Sequence, residues 1–454
     1  MKIVIIGNGV AGTNAARYIR KLSEHEVVMI SDETLKPFSR TALMYVYMGH
    51  MKQDSTELYE DWFWEKNRIQ RIQASVKNID FAKKMIELKH GASVTYDKLI
   101  LATGSKPNKF GWPGQDLKGV SGLYHLKDLE TIEQYSENLK HAVIVGGGLI
   151  GIELAEMFRS RNIKVTFLVR EQSFWDIVLP REESEMINRH ILEHHIDLRL
   201  ETELQEILSD EKGRVSAIVT KSGETINCEF VGLTVGVSPN IDFLRPSENQ
   251  KIEFGNIEIG RGILINQHLM TSQSGVYAIG DCAELRNPAP GRRPIEAIWY
   301  TGRMMGQTVA HTICGIATEY KPQLWFNSAK FLDIEYQVYG DVPTKITDNI
   351  SNIYWEHQNG KKSIRINFDN GTNVVTGFNL MGIRYRHEVC EKWLLEKTNI
   401  ETVLQDLSLA NFDPEFFDVY ENELIKRYNQ LTNNNLQLKK KRGLNFVTRF
   451  LKGI

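Results

Sequence analysis

Cysteine is scarce in this chain. There are four in 454 residues (Cys228, Cys282, Cys314 and Cys390), and none precedes Cys228. They are widely spaced and form no C-x-x-C pair. That argues against a disulfide framework and a cysteine zinc site, so no metal is expected and a reducing compartment suits the chain. Long apolar runs are missing too: nothing approaches the ~18 consecutive apolar residues of a membrane span. An excess of one charge is also absent. The net charge is −2, so the overall balance calls for neither nucleic acid nor a membrane surface. The opening "KIVIIG" reads as a buried strand beginning at Lys2, which leaves no room for the n- and h-regions of a signal peptide. A cytoplasmic protein is expected.

An apolar share of 42% and a charged share of 25% are those of a globular protein, and 454 residues exceed one ordinary core. Two or three domains are expected. The first strong signal is "KIVIIGNGVAGTNAARYIRKL". A short apolar strand runs into G-x-G-x-x-G (Gly7, Gly9, Gly12), then a helix-period stretch, then a second strand, "EVVMI". That context turns a loose pattern into a dinucleotide fingerprint. Gly7 permits the tight turn, Gly9 lets the backbone approach a pyrophosphate, and Gly12 lets helix and strand pack closely. The helix N-terminus offers its free N–H groups to the phosphates.

The same grammar recurs in "HAVIVGGGLIGIELAEMFRSRNIKVTFLV", with Gly146, Gly148 and Gly151. Two nucleotide sites in one chain suggest two dinucleotides, held together to pass a hydride between them. Two further stretches are strands ending on short motifs: "YDKLILATGSKP", ending at Thr103-Gly104, and "SGVYAIGDCAE", ending at Gly280-Asp281.

With these four motifs in order, residues 1–325 resemble the two-dinucleotide flavoproteins of the pyridine-nucleotide-disulfide oxidoreductase superfamily. The resemblance implies an α/β fold of two Rossmann-like domains, with the NAD domain inserted in the FAD domain, plus a small α+β C-terminal domain. The first fingerprint would bind FAD and the second NAD(P)H. Asp281 would hold the ribityl–pyrophosphate part of FAD, and "TVGVSPN", containing Gly236, would carry the chain back to the FAD domain. The implied layout is an FAD domain at 1–115 and 246–322, an NAD(P) domain at 116–245, an α+β domain at 323–390 and a helical extension with a basic tail at 391–454.

A Rossmann fingerprint places an acid about 20 residues on to hold a ribose hydroxyl. The first copy has Ser31 there, followed by Asp32 and Glu33. This resembles the ferredoxin-reductase-like branch, where the acid is displaced, and Asp32 or Glu33 is expected to hold the adenosine ribose. In the second copy the selector falls near Val169, with Arg170 and Glu171 next. An acid favours NADH and an arginine NADPH; both are present, with a slight lean to NADH.

In the superfamily, disulfide reductases carry a redox cysteine pair soon after the first βαβ unit, and peroxidases and coenzyme-A disulfide reductases carry one cysteine. Here that loop reads "KPFSRTALMYVYMGH" and holds none. It resembles instead the branch of rubredoxin reductases, oxygenase-type ferredoxin reductases and the nitrite-reductase flavin module, in which Arg40 would approach the FAD pyrophosphate. Thr41 replaces the usual proline, and Met44-Tyr45 stands where Ser-Lys would be, which favours the rubredoxin-reductase and nitrite-reductase group. By the same resemblance Glu153 would orient the nicotinamide. Glu296 and Trp299, in "PIEAIWYTGRMMGQ", would approach the isoalloxazine ring.

The implied activity is FAD-dependent NAD(P)H oxidation that delivers electrons to an iron–sulfur or rubredoxin-like carrier. The alternatives are an NADH oxidase that uses oxygen and a nicotinamide-sensing flavoprotein like apoptosis-inducing factor. The resemblance also associates the C-terminal domain with homodimers. Within that region "SNIYWEHQ", "KSIRINFD" and "NVVTGFNLMG" are separated by "NGKK" and "DNGT", which are hairpin signals. Arg384, Arg386 and His387 cluster at the start of a helical stretch. The tail "LKKKRGLNFVTRFLKGI", with six basic residues and no acid, offers peripheral contact with an anionic membrane or an acidic partner.

Overall fold

The computed structural model describes residues 1–245 and 257–439. The chain forms two compact units. One takes Met1–Leu168 with Glu203–Pro322; the other takes Val169–Thr202 with the chain from Gln323 onward.

The first unit opens with strand β1 (Lys2–Ile6), helix α1 (Val10–Leu22) and strand β2 (Glu26–Ser31). Strands β3 (Ile69–Gln73) and β4 (Lys98–Leu101) follow. The second fingerprint gives β5 (His141–Val145), α2 (Leu149–Ser160) and β6 (Lys164–Leu168). Helix α3 (Arg181–Glu193) belongs to the second unit. The first unit then resumes and contains β7 (Phe230–Leu233), β8 (Val276–Ala278) and α4 (Trp299–Ile313).

Both fingerprint strands are central and parallel to their neighbours. The first sheet has the order β8-β4-β1-β2-β3, and β5 lies between β6 and β7 in the second. Ile3, Val4 and Ile5 are fully buried, as are Ala142, Val143 and Ile144. This is why these strands read as continuous apolar runs rather than alternations. Parallel strands require crossovers, and α1 and α2 supply them.

Small residues decide how closely α1 and α4 approach. A Cβ on Gly306 would stand 2.6 Å from the Ala11 carbonyl oxygen, and one on Gly302 would stand 3.3 Å from Val10 Cγ1. Ala11 and Ala15 on the facing helix are buried. The result sets the N-terminal halves of α1 and α4 side by side.

The second unit is built on a five-stranded antiparallel sheet of β9 (Phe326–Phe331), β10 (Ile334–Gly340), β11 (Ile350–Glu356), β12 (Ser363–Asp369) and β13 (Val375–Met381). Its order is β9-β10-β13-β12-β11. The hairpin signals around "NGKK" and "DNGT" correspond to β11–β12 and β12–β13. Helices α5 (His387–Leu395), α6 (Ile400–Gln405) and α7 (Glu421–Thr432) follow, and their Trp393, Leu404 and Leu424 join Ile364, Ile366 and Phe378 of the sheet in one core. The helical stretch breaks at Lys397, which has φ +52°, and Asn399 restarts it by accepting the Glu401 N–H at 2.9 Å. In the basic cluster, Arg384 is paired with Glu335. The apolar and basic residues beyond Lys439, and the 246 boundary, lie outside the described residues. No helix among the described residues is long and apolar enough to cross a membrane.

Candidate dinucleotide sites

The two glycine turns obey one geometric rule. Gly7 has φ +108°, and a Cβ there would lie 2.0 Å from the Ala102 carbonyl oxygen; one on Gly12 would lie 2.1 Å from the Gly7 oxygen. In the second copy Gly146 has φ +117° with Thr234 oxygen at 2.5 Å, and Gly151 meets the Gly146 oxygen at 2.3 Å. Gly9 and Gly148 differ: a Cβ on either would meet nothing within 4 Å. The outer glycines are required by the protein's own packing. The middle ones keep open space at a helix start.

Those helix starts share a lack of acids with the start of α4. The N-caps of α1, α2 and α4 are Gly9, Gly148 and Ile298; none makes a side-chain cap hydrogen bond, and none of the three helices has an acid in its first turn. By contrast α3 begins with Glu182 and Glu183, and α7 with Glu421 and Glu423. The leading N–H groups of α1, α2 and α4 are left to an anionic ligand, where the helix dipole also favours negative charge. Open glycines and acid-free helix starts fit a dinucleotide pyrophosphate at each fingerprint.

Around the first turn the structure gathers residues from separate motifs. The Arg40 guanidinium donates to Glu33 and, at 2.9 Å, to the Tyr124 carbonyl; it lies 4.9 Å from the Tyr124 ring. Ser105 Oγ donates to Asp281 at 3.1 Å, and the Ser105 N–H reaches Tyr124 Oη at 3.2 Å. Burial pushes the Asp281 carboxyl above its ordinary range, with Ser105 and the Arg40 charge opposing. Burial also raises Tyr124, and the nearby Asp281 charge adds to it. Tyr124 and His125 carry no motif signal and sequence reasoning missed them, while Ser105 lies inside "ATGSKP" but was given no role.

Of the two ribose candidates, Glu33 is already engaged. It accepts from Arg40 and from the Leu126 N–H at 2.8 Å, with His125 Nδ1 at 3.5 Å, whereas Asp32 is exposed. Burial works against Glu33 ionising. Hydrogen bonds from His125 and Arg40, the Arg40 charge and the Leu126 N–H outweigh it and bring the carboxyl from 4.5 to about 2. A carboxylate depressed on folding contributes stability that is present above pH 4.5 and is lost as the pH falls towards about 2. Acid titration followed by near-UV circular dichroism should show a component in that window for the wild type. The Glu33→Gln protein should lack it; an identical profile would remove Glu33 from the account.

Thr103 and Gly104 sit at a chain crossing. Thr103 Oγ1 donates to the Asn240 carbonyl at 2.7 Å, and Gly104 accepts the Asn240 N–H at 2.9 Å. Gly236, with φ +86°, accepts the Asn108 N–H at 3.0 Å. The two glycines start short strands, Ser105–Pro107 and Val237–Pro239, which pair antiparallel. The stretch "TVGVSPN" therefore returns beside "ATGSKP", joined to it by backbone hydrogen bonds.

Glu296 is tied down near the start of α4. Arg292 grips it with two hydrogen bonds of 2.6 and 2.7 Å, and Thr301 donates to it at 3.2 Å. Trp299, the first residue of α4, is 41% exposed, with its ring edge-on to Tyr300 at 5.4 Å. Glu153 is half-buried on α2 among the buried Gly151, Ile152, Leu154 and Ala155. In the second unit, Arg170 and Glu171 form an ion pair at 2.7 Å, with Arg170 the more exposed partner. Burial, together with the Glu171 charge, raises Asp176.

A family model described as pyridine nucleotide-disulphide oxidoreductase matches residues 1–312. The chain belongs to the pyridine nucleotide-disulphide oxidoreductase family. Among relatives, rubredoxin-NAD(+) reductase of Ectopseudomonas oleovorans is 26% identical over 330 residues, covering 72% of this chain and 83% of that protein. The NAD(P)H coenzyme A polysulfide/persulfide reductase of Pyrococcus horikoshii is 31% identical over 340 residues, covering 74% of each. Among solved structures, NADH:rubredoxin oxidoreductase from Clostridium acetobutylicum aligns with a TM-score of 0.67 at 24% identity, over 89% of this chain and 99% of that one. The NAD-dependent persulfide reductase from A. fulgidus aligns with a TM-score of 0.80 at 21% identity, over 95% and 83%. These likenesses carry the fold of two-dinucleotide flavoprotein reductases. As a member of the pyridine nucleotide-disulphide oxidoreductase family, the chain is an oxidoreductase that uses FAD and NAD(P)H.

Proposed function

We propose that this chain oxidises NAD(P)H, NADH in preference, and delivers the electrons one at a time to a small iron–sulfur or rubredoxin-like carrier protein. FAD, when bound, supplies the passage from a two-electron donor to one-electron acceptors. The overall reaction balances as one NAD(P)H and two oxidised carriers giving NAD(P)+, a proton and two reduced carriers.

The observation that carries this reading is that no cysteine lies in the loop after the first fingerprint, that three of the four cysteines are buried, and that the half-buried Cys314 caps the opposite end of α4 from Trp299. Relatives include both carrier reductases and persulfide reductases, and thiol chemistry needs an accessible, ionisable sulfur near the flavin. No cysteine precedes Cys228. Cys228, Cys282 and Cys390 are buried. Burial and the Glu229 charge push the Cys228 thiol up to about 12, and burial raises Cys282 and Cys390 as well. None of these three is poised as a thiolate.

The protein's own residues bind and position. In this reading the open space at Gly9 and the α1 N-terminus receive the FAD pyrophosphate, with Asp32 at the ribose. Glu33 holds Arg40 in place beside Asp281. Gly148 and the α2 N-terminus receive NAD(P)H, which Glu153 orients. Glu296, already neutralised by Arg292, fixes the start of α4, and Trp299 offers an apolar face there. The acid at Glu171 neutralises Arg170 and disfavours a 2′-phosphate, hence NADH. The nicotinamide domain is assigned to 116–245, inserted in the flavin domain.

Holoprotein given NADH should reduce added rubredoxin or ferredoxin far faster than it consumes oxygen in air. Alkylation with N-ethylmaleimide should leave that rate within about twofold, because Cys228, Cys282 and Cys390 contribute almost no thiolate and Cys314 stands at the opposite end of α4 from Trp299. Loss of turnover on alkylation, or turnover only with a disulfide or persulfide substrate, would overturn the proposal. NADPH supporting higher kcat/KM than NADH would overturn its cofactor preference.

A further inference from the structure

Within the second unit, two histidines and an aspartate converge on one point. His190 lies on α3 with its side chain 1% exposed, and His194 follows at the helix C-cap. Four residues apart, the two project from one face of the helix. Asp333 comes from the two-residue turn between β9 and β10, where Phe331 pairs with Ile334. Its Oδ1 contacts His190 Nε2 and lies 3.4 Å from His194 Nε2. One donor atom from each side chain falls within a 4.8 Å span.

The opposite ring nitrogens show which way the rings are set. His194 Nδ1 lies 3.1 Å from the His190 carbonyl oxygen, which can only accept, so Nδ1 carries the proton. His190 Nδ1 faces Glu193 Oε2 at 3.5 Å. His190 Nε2 donates to Asp333 Oδ1, so a metal ion at this point would replace the proton on that nitrogen, whereas the Nδ1–H of His194 leaves the Nε2 of that ring with its lone pair. A backbone carbonyl behind the His194 imidazole is an arrangement that orients metal-bound histidines, while His190 Nδ1 is buried without a hydrogen bond. The turn that presents Asp333 contains Leu332, buried at 3% exposure and held at φ +57°, a conformation a leucine seldom adopts.

We propose that His190, His194 and Asp333 form a divalent transition-metal site, suited to zinc, that clamps α3 to the β9–β10 hairpin. Two imidazoles and one carboxylate suit zinc; magnesium and calcium prefer all-oxygen sets. Zinc–nitrogen bonds of about 2.0 Å put tetrahedral ligands about 3.3 Å apart, so Asp333 Oδ1, which is in hydrogen-bond contact with His190 Nε2, has to draw back from that ring as the ion enters. Asp333 is 58% exposed, which leaves a path for the ion and a position for water. Lys361 Nζ lies 3.6 Å from the other Asp333 oxygen and 3.8 Å from Glu193. It balances those oxygens and leaves Oδ1 as the single carboxylate ligand.

The test uses chelator-treated holoprotein titrated with zinc chloride in a calorimeter. One zinc per chain is expected, with a dissociation constant at or below about 10 μM. Asp333→Asn and His194→Ala should each weaken it at least about tenfold. Both positions are partly exposed, so the variants should keep the flavin spectrum and circular dichroism of the parent. Cobalt(II) in the parent should show tetrahedral d–d bands at wavelengths beyond flavin absorption. No uptake of zinc, uptake unchanged in both variants, or a cobalt spectrum identical to the free ion would each overturn the proposal.

Discussion

The Gly9→Val protein should emerge from purification folded and colourless. Gly9 has φ −65° and ψ −174°, extended backbone that any residue can adopt, and a Cβ there meets no protein atom within 4 Å. The fold does not need glycine at this position; the ligand does. A valine would fill the space in front of the α1 N-terminus and hold a pyrophosphate away from its N–H groups. Hydrogen bonds to charged groups contribute about 1.5–3 kcal/mol each. Losing two costs about 3–6 kcal/mol, or roughly 10²–10⁴-fold in affinity. Flavin absorbance per protein should fall to a trace and NADH oxidation with it, while far-UV circular dichroism is kept.

Two companion variants separate this reading from a general loss of structure. Gly12→Val should fail to fold, because a Cβ there stands 2.1 Å from the Gly7 carbonyl oxygen and 3.2 Å from Ile5 Cγ2. Gly148→Val, open like Gly9, should stay yellow and lose affinity for NAD(P)H alone. A Gly9→Val protein with full flavin content, or a Gly148→Val protein that loses its colour, would contradict the assignment of the two turns.

The parts of the site that could be read in the sequence are those in which the backbone itself carries the constraint. Gly7, Gly12, Gly146 and Gly151 are required by contacts within a few residues or across one strand, so they leave a local spacing. The hairpins of the C-terminal sheet likewise show through "NGKK" and "DNGT". What could not be read depends on side chains that meet through space. Nothing in "SGLYHL" announces that Tyr124 packs on Arg40 and meets Ser105, or that His125 faces Glu33. The "SDE" run gave two candidate acids, and only Glu33's engagement with Arg40 and Leu126 separates them. His190 and His194 have the spacing of ligands on one helix face, but their third partner lies in a hairpin more than a hundred residues on.

The grouping of residues 169–202 with the C-terminal sheet was also out of reach, and a buried ion pair explains it. Arg365 on β12 is 1% exposed and Glu183 on α3 is fully buried. The guanidinium donates to both Glu183 oxygens, at 2.7 and 2.8 Å, to Glu182 at 2.7 Å and to Asn352 at 2.9 Å; Asn379 completes the Glu183 carboxylate at 3.2 Å. Removing one member of such a pair strands the other charge in the core, at about 3–5 kcal/mol. Glu182, half-exposed, compensates only in part. Glu183→Ala should therefore lower the calorimetric midpoint by roughly 6–20 °C, at about 2–4 °C per kcal/mol for a unit of this size. Arg365→Lys should also be costly, since an ammonium cannot span both oxygens. The paired replacement Glu183→Met with Arg365→Met removes both charges and should recover most of the loss, because well-packed apolar residues substitute for buried ion pairs at little cost. If the single variants melt within 2 °C of the parent, or the double variant melts no higher than either single one, the pair is not what holds α3 to the sheet.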